Sequence, residues 1–161
     1  MTIPKIYLET TMFSFYYEIR GEPHYQEYKT QARQVFDMIR AGKFKPYSSP
    51  YATDEIDGEK DPVKREQMKG LVKKYDITIL ERTEEVEQLA ALYIQEKAIS
   101  PEWLADAAHI AITVINGLDF IVSLNFTHIA RPWTIEIVRR VNARENYKGI
   151  GIYKPVEVLE L

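Results

Sequence analysis

The chain has 161 residues, 45% apolar and 28% charged, with a formal charge of -3. That suits one domain spanning 1–161 with a sizeable core, and it gives no electrostatic signature of a duplex-wrapping protein. The absence of cysteine excludes disulfides, thiol catalysis and thiolate zinc sites, and suits a reducing cytoplasm, the expected location.

Lys5 to Leu8 predicts a short first strand that runs into Glu9-Thr10-Thr11. A helical or irregular aromatic segment, Met12 to Glu18, follows and breaks at Gly21 to His24. Tyr25, Tyr28, Ala32, Val35, Phe36 and Ile39 recur at helical spacing, and Gly42 supplies the stop. Phe44 to Ser48 predicts a second strand, with a short helical turn at Tyr51 to Ile56. Asp61-Pro62 reads as the cap and first turn of the next helix. Ile77 to Leu80 predicts a brief strand, and Thr83 caps a helix with Glu84 and Glu85 in its first turn.

Ser100-Pro101 predicts the start of the most apolar helix, 101–118. Leu104, Ala107, Ala108, Ala111, Ile115 and Leu118 share an apolar stripe, while Asp106, His109, Thr113 and Asn116 share a polar one. These polar interruptions argue against a bilayer span, so no membrane partner is expected. Phe120 to Ser123 predicts a strand, Pro132 to Asn142 a helix, and Gly151 to Leu159 one or two terminal edge strands. Short strands alternating with helices, joined by connections too long for hairpins, predict α/β architecture: a central parallel sheet with helices on both faces.

Three acids fall where a strand gives way to a helix or where a helix begins: Glu9, Glu55 and Asp106. Open α/β sheets keep their ligands beside the carboxyl ends of their strands. Each acid also has an ordinary reading, as helix-start polarity, a cap or a surface charge. Asn125 can ligate through its carbonyl, or it is a turn residue. Carboxylates and a carboxamide without cysteine suit oxygen ligation of Mg²⁺ or Mn²⁺. His109 reads as a helix-packing residue and His128 as a phosphate-binding or orienting group. Dinucleotide, P-loop and nucleophile-elbow motifs are absent.

The strings IYLETT, SPYATDEI, ADAAHIA and DFIVSLNFTHI, in this order, resemble those of PIN-domain proteins, particularly the VapC-like ribonucleases of toxin–antitoxin systems. The tail, with Ile137 to Asn142 and KPVEVLEL, is similar as well. The resemblance implies a three-layer α/β/α PIN-like fold that binds Mg²⁺ or Mn²⁺ and cuts RNA. By position it assigns the acids to Glu9, Glu55 and Asp106 and the fourth polar position to Asn125, with Thr10 and Ser123 in support. It also implies a homodimer and a cognate antitoxin protein. Two departures stand out. Glu9 replaces the usual Asp and carries its carboxylate roughly 1.5 Å further, and Asn125 is neutral.

The expected activity is therefore metal-dependent endoribonuclease action, with Arg131 and His128 meeting substrate. The alternatives are a noncatalytic RNA- or protein-binding module of the same fold and an enzyme acting on small phosphate esters. The aromatic run Met12, Phe13, Phe15, Tyr16 and Tyr17 supplies either dimer anchors or packing beneath helix 25–40.

Overall fold

The computed structural model describes residues 2–161. Its sheet has five strands, all parallel, in the order β3-β2-β1-β4-β5. These are β1 (Lys5–Leu8), β2 (Lys45–Ser48), β3 (Thr78–Ile79), β4 (Phe120–Val122) and β5 (Gly151–Tyr153). Eight helices connect and cover them: α1 (Thr10–Tyr16), α2 (Pro23–Arg40), α3 (Pro50–Asp57), α4 (Pro62–Lys74), α5 (Glu84–Gln95), α6 (Leu104–Ile115), α7 (Pro132–Arg144) and α8 (Pro155–Val158). The result is a three-layer α/β/α arrangement. No helix among the described residues is long and apolar enough to cross a membrane.

Strand alternation divides the core in two. Tyr7, with its register partners Tyr47 and Ile121, faces α5, α6 and α7. Ile6 and Leu8, with Phe120 and Val122, face α1, α2 and α4. Successive side chains on a strand point to opposite faces, so a strand covered on both sides is apolar throughout. β1 meets that requirement at its centre, where Ile6, Tyr7 and Leu8 are all buried.

Local chemistry sets the boundaries. Asp61 accepts from the N–H groups of Val63 and Lys64 at the start of α4, and Thr83 accepts from Val86 at the start of α5. Gly42, just after α2, has φ +80°, a conformation in which a Cβ is strained. Gly151 has a different constraint: a Cβ there would lie 2.5 Å from the Tyr153 ring.

Three expectations change. The tail forms one parallel strand and then α8, because Pro155 occupies a first-turn position and the Glu157 carboxylate accepts from the Lys154 N–H at 2.9 Å. The central helix is preceded by a separate 3-10 turn, Pro101–Trp103, and the Ser100 side chain caps nothing. Leu104, expected on the inner stripe, is 52% exposed, because as the first residue of α6 it overhangs a shallow recess beside Tyr51 and Ala90. Met12, Phe13 and Tyr16 are buried in the cluster that contains Val35 and Phe36 of α2. These three aromatic-run residues thus pack internally, as the second reading of that run expected.

Candidate active site at the carboxyl edge of the sheet

β1 lies between β2 and β4, so the chain leaves it in one direction and returns on the other side. This is a topological switch point, with a crevice beyond the strand ends. Glu9 sits there. Its backbone is extended, its N–H donates to the Val122 carbonyl, and α1 begins at the next residue. The side chain is only 2% exposed. Ser123 Oγ donates to Glu9 Oε1 at 2.6 Å and Thr11 Oγ1 donates to the same oxygen at 2.5 Å. Leu124 N–H donates to Thr11 Oγ1 and Asn125 N–H to Ser123 Oγ, so the loop after β4 is tied to the start of α1.

Glu55 comes from α3. Ser49 Oγ caps that helix by accepting from Tyr51 N–H, and it also lies 2.6 Å from the Tyr7 hydroxyl. Tyr7 in turn contacts His109 Nδ1 at 2.6 Å, and His109 Nε2 lies 2.6 Å from Glu55 Oε1. Thr10 Oγ1 donates to Glu55 Oε1 at 2.7 Å. A chain of contacts, Ser49–Tyr7–His109–Glu55, therefore runs from the end of β2 to the cleft, its first three members buried.

Charge explains the ionisation of this chain. Burial acts to lower the His109 pKa, but the hydrogen bond to Glu55 and the charges of Glu9, Glu55 and Asp106 reverse the sign and raise it. Burial acts to raise Glu55, but His109 and Thr10 pull it below the usual carboxylate value. Burial also drives the Tyr7 phenol far upward, so Tyr7 stays protonated. The protonated Tyr7 hydroxyl thus links Ser49 Oγ and His109 Nδ1, 2.6 Å from each.

Asp106 lies in the first turn of α6 and is 7% exposed. Its Oδ2 is 3.0 Å from His128 Nδ1. Burial raises the Asp106 pKa most, and Glu55 adds to this against the opposing charges of His109 and His128. Burial likewise raises Glu9, although His109, Ser123 and Thr11 oppose it. Burial, more than neighbouring charge, thus holds the Glu9 and Asp106 carboxyls above their ordinary range.

Each acid is held by one oxygen: Glu9 and Glu55 by Oε1, Asp106 by Oδ2. Their second oxygens accept no hydrogen bond from the described residues. The three acids, with Asn125 and His128, line a cleft of about 490 Å³. Carboxylate oxygens suit a hard divalent cation in donor type and charge. As positioned, they do not form a closed ligand set: among the described residues, no three His, Asp or Glu side chains are arranged to hold a metal ion.

Glu9, Thr10, Glu55, Asp106, Asn125 and His128 all line this cleft, and Ser123 lies buried behind Glu9. Arg131 does not reach it. Its guanidinium donates to the Ala98 carbonyl at 3.1 Å and to Thr134 Oγ1 at 2.7 Å, and it lines a separate recess with Trp133. Position just before α7 aims it back towards the end of α5, away from the acids. Asp54 is likewise turned to Arg82. His109, expected to be packing, joins the site; its place three residues after Asp106 on the polar stripe was the available signal. Tyr7, Ser49 and Trp103 were missed. Compared with models of known protein families and with curated proteins, the chain matches none.

Proposed function

We propose that this chain is a Mg²⁺- or Mn²⁺-dependent endoribonuclease of the PIN-domain type. The observation that carries the reading is the set of three carboxylates at the switch point, each anchored through one oxygen and all lining a common cleft. Glu9, Glu55 and Asp106 would hold the cation. Once bound, such a cation lowers the pKa of water and offsets charge at a scissile phosphate. Ser123 and Thr11 fix Glu9, and His109 with Thr10 fixes Glu55. Asn125 orients the loop by accepting the His128 N–H at 3.0 Å, and its amide lines the cleft.

Hydrolysis needs no side-chain nucleophile. Water oxygen bonds to phosphorus, the bond to the 3′ oxygen breaks, and that oxygen takes up a proton. Products carry a 5′-phosphate and a 3′-hydroxyl. The test is cleavage of single-stranded RNA with Mn²⁺, Mg²⁺ or EDTA, followed by end-group mapping. A cyclic 2′,3′-phosphate formed in EDTA would refute the mechanism. The toxin role with a cognate antitoxin rests on the sequence resemblance alone, a homodimer on that resemblance and the aromatic run, and a cytoplasmic setting on the absence of cysteine.

A second reading, a noncatalytic module of the same fold, draws support from the side chains' engagement within the protein. Glu9 is nearly sealed, Asn125 Oδ1 is already occupied, and the three acids do not close on one point. Absence of specific Mn²⁺ binding together with retained RNA or protein binding would favour it.

A further inference from the structure

The cleft wall is mostly carboxylate and hydroxyl, with two aromatic exceptions, Trp103 and His128. Their rings stack with centroids 4.4 Å apart and 24° between planes. His128 is fixed independently, through Nδ1 to Asp106 and through its N–H to Asn125 Oδ1. The indole ends the 3-10 turn Pro101–Trp103, belongs to neither core cluster and remains 45% exposed. A large aromatic plane is therefore held in orientation one hydrogen bond away from Asp106 and open to the cleft.

Isolated exposed apolar residues need no special account. Trp103 differs by position and by preorganisation: its ring is backed by a second ring whose own placement is set by an acid of the site. Such a surface suits a flat partner, and a nucleobase offers a π-face whatever its identity. A base inside a duplex has both faces covered, so only an unpaired base can use the wall.

Building on the nuclease reading, we infer that Trp103, backed by His128, is the stacking platform for an unpaired nucleobase next to the phosphate held at the carboxylates. The substrate class is then single-stranded, base-bearing nucleic acid, and bare phosphate esters lack the group the platform takes. Trp103 acts in binding and register. It supplies no sequence preference, because stacking is tolerant of base identity.

The chain has two tryptophans, so Trp133→Phe makes Trp103 the sole indole reporter. That protein is titrated with a short single-stranded RNA and with an abasic chain of the same length, using Ca²⁺ in place of the activating metal. The RNA should quench Trp103 fluorescence and the abasic chain should not. In the wild-type background, Trp103→Leu keeps an apolar side chain but no ring. It should weaken RNA binding roughly 5- to 100-fold and leave abasic-chain binding unchanged, while Trp103→Phe should recover most of the affinity. Equal binding of the two chains, or wild-type affinity in Trp103→Leu, overturns the platform. Metal-dependent cleavage is measured in parallel. If cleavage persists with such a result, the platform alone fails; if RNA is neither bound nor cut, the platform and the nuclease reading fail together.

Discussion

His109 Nε2 lies 2.6 Å from Glu55 Oε1, although the two residues are 54 positions apart and belong to different helices. The imidazole holds Glu55 with one nitrogen and the Tyr7 hydroxyl with the other. His109→Ala removes both contacts and opens space beside a fully buried phenol. The expected cost is about 2 to 4 kcal/mol from the lost hydrogen bonds and the cavity. Urea unfolding checks it, and a loss below about 0.5 kcal/mol would show that the chain from Ser49 to Glu55 is not structural.

The charge of Asp106 is disfavoured in the folded protein, because burial and Glu55 both raise its pKa. Asp106→Asn keeps the side chain's size and removes that charge. Folding stability should stay the same or rise, while RNA cleavage falls by at least about 100-fold, the scale of losing a major electrostatic contribution. Thermal melting and cleavage assays at matched ionic strength give the two readings. A folded variant cutting at the wild-type rate would exclude Asp106 from the site.

Cation binding should reinforce the fold. A ligand at 100 times its Kd that binds only the native state adds about 2.7 kcal/mol. Mn²⁺ should therefore raise the melting temperature of the wild type, with little effect on Asp106→Asn or Glu9→Gln. A uniform shift in all three proteins would place the ion elsewhere.

Glu18 reports on a different region. Its side chain is buried, and Arg20 donates to it from Nε at 2.8 Å, from a second guanidinium nitrogen at 2.9 Å and from the backbone N–H at 3.0 Å. Those bonds, working against burial, hold the carboxyl down at about 2, below its ordinary 4.5. A lowered native pKa stabilises the protein above the unfolded value, and that contribution drains away as pH falls from 4.5 towards 2. With Arg20 half in water, about 1 to 2 kcal/mol is at stake. Denaturation from pH 7 downward should show this acid-dependent component in the wild type and its absence in Glu18→Gln. Parallel profiles would assign acid sensitivity to other carboxylates.

Local signals carried much of the architecture. Alternating short strands and helices, the Asp61 and Thr83 caps and the Gly42 stop all depend on neighbours in the chain, and the structure has them where the spacing placed them. The carboxylates were also legible, because a strand end followed by a helix start marks the sheet edge. What bears on them was harder to see. Tyr7 and His109 meet across 102 positions, and no period links a buried strand residue to a helix residue so distant. Arg131 shows the converse: it follows Asn125 closely in sequence, yet its side chain turns to Ala98. The tail failed for a third reason. GIYKPVEVLEL suits a strand by composition, but Pro155 and the Glu157 carboxylate favour a helical turn midway.

The position of β1 has a consequence for a chain that is still being made. Glu9 leaves the ribosome more than a hundred residues before Ser123 and Val122, which fix its side chain and backbone. Until then β1 can pair with β2 on one side only, and its other edge has no strand to meet. Nascent chains, and fragments ending before β4, therefore contain Glu9, Glu55 and even Asp106 without the assembled cleft. Whatever chemistry those acids perform together is withheld until the strand that completes the centre of the sheet has been synthesised.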